Sequence, residues 1–152
     1  MVGLIFRPAT PADLPAIVAL LAEDTLGEKR EDASEPLDPR YHAAFDAMAA
    51  DPNQRALVGE EAGRVVAYLQ LTIIPGLAFR GLTRALIESV RVSSDRRGDG
   101  IGAALIAHAV DLARSAGCGM VQLTSANERE AAHRFYLRLG FSQSHAGFKL
   151  RL

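Results

Sequence analysis

Gly98, Gly100 and Gly102 stand at every second position behind Arg96 and Arg97. An apolar run ends just before them, at Val92, and an apolar-periodic stretch from Ile101 to Ala116 begins among them. That pattern predicts strand, tight turn, helix. A helix start exposes backbone N–H groups that have no intrahelical acceptor, and the positive end of the helix dipole lies there. Glycines keep side chains away from those N–H groups, so an anion can come close. Arg96 and Arg97 add donors matched to phosphate oxygens. The turn from Arg97 through Gly98, Asp99, Gly100, Ile101 and Gly102 to Ala103 therefore predicts a pyrophosphate cradle.

Residues 98–103 also spell G-x-G-x-x-A, the dinucleotide fingerprint. In a Rossmann domain that turn follows the first strand, and an acidic ribose ligand comes ~20 residues later. Here the turn follows the fourth predicted strand, and residues 122–125 contain no acid. A P-loop is excluded, because no Lys-Ser or Lys-Thr follows the glycines. His42, His108, His133 and His145 show no metal-ligand spacing. His133 stands one turn before Tyr136, as a site-lining or a surface histidine. A single cysteine, Cys118, excludes a disulfide framework and reads as a small apolar filler.

The elements that must position this turn follow from punctuation and periodicity. Residues 2–7 predict a strand. Thr10-Pro11-Ala12-Asp13 predicts a helix start, with Leu14, Ile17, Val18 and Leu21 on its apolar face. The acidic stretch from Asp24 to Pro39 predicts a loop, either solvated or a lid whose carboxylates attract a cationic amine. A helix is expected over 41–50, strands over 56–60 and 65–74 joined as a hairpin, and a loop carrying Arg80 before a strand over 85–92. In that last strand Leu86, Glu88, Val90 and Val92 alternate with Ile87, Ser89 and Arg91, which predicts two distinct faces. After the long helix, Gly117 is a helix stop. A strand over 119–124, a helix closed by Gly140, and two short strands over 141–144 and 148–152 complete the chain. Overlapping capping boxes begin at Ser125 and Asn127.

Length and composition set the class. The 152 residues, 49% hydrophobic and 23% charged, predict one globular domain spanning 1–152. A formal charge of −1 argues against general nucleic-acid binding. The first residues lack a signal pattern and no run is long enough for a membrane span, so the expected location is cytoplasmic.

At this point the chain resembles the GNAT superfamily of N-acetyltransferases. Arg97-Gly98-Asp99-Gly100-Ile101-Gly102 fits its R-x-x-G-x-G/A motif. Residues 132–141, Ala-His-Arg-Phe-Tyr-Leu-Arg-Leu-Gly-Phe, are similar to its A-x-x-F-Y-x-x-L-G-F helix, and residues 6–13 to its usual start. The resemblance covers essentially the whole chain. It implies an α/β (α+β) fold with a mixed, mostly antiparallel, splayed sheet flanked by helices. It implies acetyl-CoA as co-substrate and no metal. The pantetheine arm would hydrogen-bond the backbone of Val90, Arg91 and Val92, with the Val92 N–H on the acetyl carbonyl. It also implies that Tyr136 protonates the departing sulfur; without that context Tyr136 is a core aromatic beside Phe135 and Leu139. Asn127 is either a coenzyme contact or an N-cap, and the family's usual asparagine position is occupied by Arg129. Glu88, an ionisable residue in an apolar strand, is a general base if burial raises its pKa. Its alternatives are an ion pair with Arg84 or Arg91, or exposure on the other face. The expected reaction is direct acetyl transfer to a primary amine of a small molecule or peptide. The rival is a non-catalytic acyl-CoA-binding or sensing module on the same fold. Family habit implies a homodimer. The acidic stretch hints at a cationic acceptor, and Arg80 and Arg84 at an anionic one.

Overall fold

Apolar residues at alternate positions build the central sheet of the computed structural model, which describes residues 3–152. Its strands are β1 (Leu4–Pro8), β2 (Gln54–Glu61), β3 (Arg64–Ile74), β4 (Arg84–Val92) and β5 (Met120–Leu123), in the order β1-β2-β3-β4-β5. The first four pair antiparallel. Ala62 (φ 50°) and Gly63 (φ 77°) both take left-handed backbone in the two-residue turn between β2 and β3, which matches the strands' own twist. Between β4 and β5 the chain crosses over through α5 (Ile101–Ser115). The Gly119 N–H donates to Thr83 O at 2.9 Å, which sets the two strand starts side by side. β4 and β5 therefore run parallel, and the sheet is mixed.

The two faces of the sheet are covered by different helices. On one, Tyr68 and Val58 pack with Ile17 and Leu20 of α1 (Leu14–Ala22). Nearby, Leu14 and Val18 meet Leu37, with Tyr41 and Phe45 of α3 (Pro39–Ala50) against them. On the other, Leu57, Leu69, Leu71 and Ile87 are buried together with Ile101 and Leu105 of α5. The Phe6 and His108 rings stack there at 5.3 Å, so His108 is part of the packing. Gly117 (φ 83°) ends α5: its N–H reaches Arg114 O and the Cys118 N–H reaches Ala113 O, the Schellman stop. Cys118 is half-buried, and burial pushes its thiol pKa up.

Arg7 ties β1 to the start of α1. Its Nη1 and Nη2 donate to both Asp13 oxygens at 2.7 and 2.9 Å, and its Nε donates to Glu60 at 2.7 Å. Asp13 also accepts the Thr10 N–H at 2.7 Å. These bonds hold the Asp13 carboxyl down at about 2, the Arg7 contact being the largest cause.

Several expectations change. The stretch 24–39 is not all loop: α2 (Thr25–Arg30) forms within it, because the Asp24 side chain caps the Gly27 N–H. The loop with Arg80 contains one turn, α4 (Ala78–Gly81), whose Phe79 and Arg80 are left-handed at φ 54° and 58°. Among the described residues no strand forms after β5. Phe148, Leu150 and Leu152 do alternate, yet all three are exposed; alternation specifies faces, and a strand also needs a partner edge. The last helix, α6 (Glu130–Arg138), takes Arg129 as its N-cap residue, so neither expected capping box forms. Val2, expected to open β1, lies outside the described residues. The chain divides into two compact units, Met1–Gln122 and Leu123–Leu152. No helix among the described residues is long and apolar enough to cross a membrane.

Two measurements check these forces. Leu105→Ala, at a fully buried site, is expected to lower unfolding free energy by about 2–5 kcal/mol in urea. The depressed Asp13 pKa contributes stability that is complete above the unfolded value near 4 and lost as pH falls through about 2. It amounts to about 2 kcal/mol, so Asp13→Asn should flatten the pH dependence of stability across that acid window.

Candidate active site

The site's organising feature is an irregularity in β4. Register pairs Gln70 with Glu88 but Tyr68 with Arg91, so β4 spends one residue more than β3 over that interval. This is a β-bulge, and Ser89 at φ 56° carries it. The extra residue re-phases the strand. Before the bulge Glu88 shares a face with Gln70; after it Arg91 shares that face with Tyr68, and Val92 moves to the face of Ala67. The uninterrupted alternation expected for this strand, with Glu88, Val90 and Val92 on one face, is therefore corrected by the bulge. The bulge also settles the backbone directions. The Ser93 N–H donates to Val66 O at 2.8 Å, so Ser93 turns towards β3. Val92, one residue earlier, turns its N–H and C=O away from β3. β5 has four residues against nine in β4, so pairing that starts at Gly119 and Thr83 covers only the first half of β4.

The glycine turn follows at once. Gly98 (φ 85°) and Gly100 (φ 80°) are left-handed, and a Cβ on either would meet nothing within 4 Å. Both glycines are thus set by the backbone, and both face open space. Gly100 is the N-cap residue of α5. The N–H groups of Ile101, Gly102 and Ala103 lie in the first turn, where a helix supplies no acceptor. Of the two arginines, Arg96 is committed: it pairs with Glu61 and, through Nε at 3.0 Å, with Asp99. That corrects its expected phosphate role and pins the turn to the β2–β3 hairpin. Arg97 stays half-exposed, its Nε on Val92 O at 3.2 Å and its Nη2 3.7 Å from Glu23.

Glu88 is exposed, so the enclosure expected to tune it as a base is absent. It neighbours Tyr68, whose hydroxyl is pushed up to about 12 by burial and then by the Glu88 charge. Arg91, one of its expected partners, lies 3.7 Å from Asp24 and donates to Val90 O at 2.9 Å. Below Glu88 the same face turns polar. Gln54 Oε1 accepts from Gln70 Nε2 at 2.9 Å and from Thr72 Oγ1 at 3.0 Å. Arg84 donates through Nη1 to Gln122 Oε1 at 3.4 Å. Gln54, Gln70, Thr72 and Gln122 escaped the sequence reading. The signal was there: Gln70 and Thr72 interleave with Leu69, Leu71 and Ile73, which are buried.

The second unit places Tyr136 and Asn127. Tyr136 packs between Phe135 at 5.1 Å and Phe141 at 5.8 Å, edge to face with each. Gly140 (φ 95°) stops α6, with its N–H on Leu137 O and the Phe141 N–H on Tyr136 O. Asn127 lies in a turn closed by the Arg129 N–H on Ala126 O at 3.0 Å. His133 Nε2 is 2.9 Å from the same Ala126 carbonyl.

The acetyltransferase (GNAT) family matches residues 16–141, which include β4, the glycine turn and Tyr136. The chain belongs to the GNAT family. As a GNAT protein it is an N-acetyltransferase, and its named relatives agree. It is 35% identical over 145 residues to the aminoalkylphosphonate N-acetyltransferase of Salmonella typhimurium, covering 93% of this chain and 87% of that one. It is 29% identical to the streptothricin acetyltransferase of Streptomyces lavendulae, over 90% of this chain and 80% of that one. Among solved structures, a Bacillus halodurans protein described as a transcriptional regulator superposes with TM-score 0.96 at 41% identity, covering 98% of this chain and 99% of that one. In this GNAT chain the bulge predicts an inverted response to substitution. At an ordinary strand position Ser→Val is favourable; Ser89→Val should instead destabilise, because a β-branched residue fits left-handed backbone worse than serine does. Ser89→Gly should equal wild type or exceed it by up to about 1 kcal/mol, because relief of the Cβ strain outweighs the entropy cost of glycine. Urea unfolding of both variants checks it.

Proposed function

We propose that this enzyme transfers the acetyl group of acetyl-CoA to the primary amine of a small molecule, and that both compact units form one acetyltransferase domain. The family match runs from residue 16 to residue 141, across both units. The observation that carries the reading is the Ser89 bulge, which turns the Val92 N–H out of the β3–β4 ladder. A donor aimed away from its own sheet is what the carbonyl oxygen of a thioester needs as it gains negative charge.

The roles follow. The backbone of Val90, Arg91 and Val92 receives the pantetheine arm. The Arg97–Ala103 turn, with Gly98, Asp99, Gly100, Ile101 and Gly102 between, holds the pyrophosphate through N–H groups, with Arg97 at its rim. Asn127 is an auxiliary coenzyme contact; the loss of its expected capping role supports that assignment. Glu88 takes the proton of the acceptor ammonium, directly or through water; its exposure leaves it open to both. The amine nitrogen then attacks the acetyl carbon; the carbon–sulfur bond breaks, the sulfur takes the Tyr136 proton, and the second proton of the attacking nitrogen passes through water to restore the Tyr136 phenol, leaving a neutral amide and free thiol. No covalent enzyme intermediate forms.

Small-molecule acceptors are supported by the relatives' names, aminoalkylphosphonate, streptothricin and glucosamine 6-phosphate among them. Tyr136→Phe keeps the ring between Phe135 and Phe141 and removes only the hydroxyl. Its thiol-release rate with a good amine should fall about 100-fold, while acetyl-CoA affinity by calorimetry holds. Undiminished turnover would remove Tyr136 from the mechanism. Loss of coenzyme binding in that variant would make its role structural.

A further inference from the structure

Arg84 and Glu88 share one face of β4: Arg84 stands opposite Ile74, Leu86 opposite Thr72 and Glu88 opposite Gln70. Their Cα atoms are about 13 Å apart along the strand. Between and beside them runs the half-buried polar floor of Gln54, Gln70, Thr72 and Gln122. Arg84 is half-buried as well, and among the described residues no carboxylate lies in ion-pair range of it. Among the described residues its side chain's one hydrogen bond is the 3.4 Å bond to Gln122, a neutral amide. A guanidinium has five N–H donors in a planar fork, and holding it partly out of water with a single long bond is costly. Three other arginines of this unit are matched with acids: Arg7 with Asp13 and Glu60, Arg64 with Asp95, Arg96 with Glu61 and Asp99.

Four of the six acids that hinted at a cationic acceptor are used within the protein. Asp24 caps α2 and lies against Arg91. Glu31 accepts the Tyr41 hydroxyl at 2.9 Å. Asp32 takes the Ser34 N–H and hydroxyl. Asp38 caps α3 and pairs with Arg40. The balance of the floor is thus a positive end at Arg84 and a negative end at Glu88.

We infer that the acceptor is a zwitterion, a primary amine carrying a carboxylate, phosphonate or phosphate, with its anion bound by Arg84 while its amine lies towards Glu88. Gln122 steadies the guanidinium and the Gln54–Gln70–Thr72 network meets the polar middle of the molecule. This rests on the acetyltransferase reading above.

Matched pairs of acceptors test it: β-alanine against β-alaninamide, L-phenylalanine against its amide, and 2-aminoethylphosphonate against its dimethyl ester. Thiol release is followed with saturating acetyl-CoA. At least one anionic member is expected to exceed its neutral partner by about 10-fold or more in kcat/KM, the scale of one charge-assisted hydrogen bond. The amides carry the more acidic ammonium, so intrinsic reactivity works against that order. Arg84→Gln should erase the preference by raising KM for the anionic member alone. Arg84→Lys should keep part of it, and Arg80→Gln, at an exposed arginine, all of it. Neutral partners that react as well in wild type would overturn the inference, as would equal losses for both members in Arg84→Gln. Acetylation without charge preference defeats this inference only. Absence of thiol release from every amine defeats the acetyltransferase reading and this inference with it.

Discussion

One extra residue in β4 governs the candidate site. A regular strand would point Val92 at β3 and spread Glu88 and Arg91 over opposite faces. The bulge at Ser89 reverses both outcomes. It holds a serine in left-handed backbone, which costs about 1–2 kcal/mol, and it leaves the ladder interrupted. The structure offsets this on both sides. Ile87 and Leu71 are fully buried on the near side, and Ser93 rejoins the β3 ladder on the far side. Ser93 and Asp95 then engage Arg64 at the start of β3 through bonds of 2.7–2.8 Å. The bulge is clamped between a dry core and a charged anchor, so the direction of the Val92 N–H is built in before any ligand arrives.

Charge does two kinds of work in this molecule. Three arginines of the first unit act as fasteners. Arg7 joins a strand to a helix start, Arg64 joins a strand to the loop beyond β4, and Arg96 ties the glycine turn to a hairpin. Each sits against a carboxylate with which it makes short, directed bonds, which suits a planar guanidinium. Arg84 differs because its neighbour is an amide. Similar side chains thus separate into scaffold and recognition by the partner each one has.

Much of the fold was legible from residue patterns. The hairpin, the crossover helix and its glycine stop follow from alternation, helical periodicity and the left-handed tolerance of glycine, all of which act over a few residues. The failures share a cause as well. Nothing local marks Ser89 as a bulge, because the reason for it lies in the pairing of β4 with β3. The tail from Phe148 to Leu152 has a strand's alternation without a strand's neighbour. Arg96 looked like a phosphate ligand because its two carboxylates lie elsewhere in the chain or were counted as part of the turn. The backbone elements of the site were readable, and the side-chain floor was not, since Gln54, Gln70 and Gln122 share a face only when the four strands β2 to β5 are laid side by side.

The end of α6 bears on how this protein can vary. Tyr136 supplies the carbonyl that accepts the Phe141 N–H, Gly140 supplies the left-handed residue between them, and the two aromatic rings meet. The Schellman stop fixes the interval from Tyr136 to Phe141, since both ends of one hydrogen-bonded ring must close. Insertions and deletions inside that interval would detach the phenol from its own helix terminus. Divergent descendants are therefore free to exchange the residues that face outward here, while the count between the tyrosine, the glycine and the phenylalanine has to be inherited as one unit.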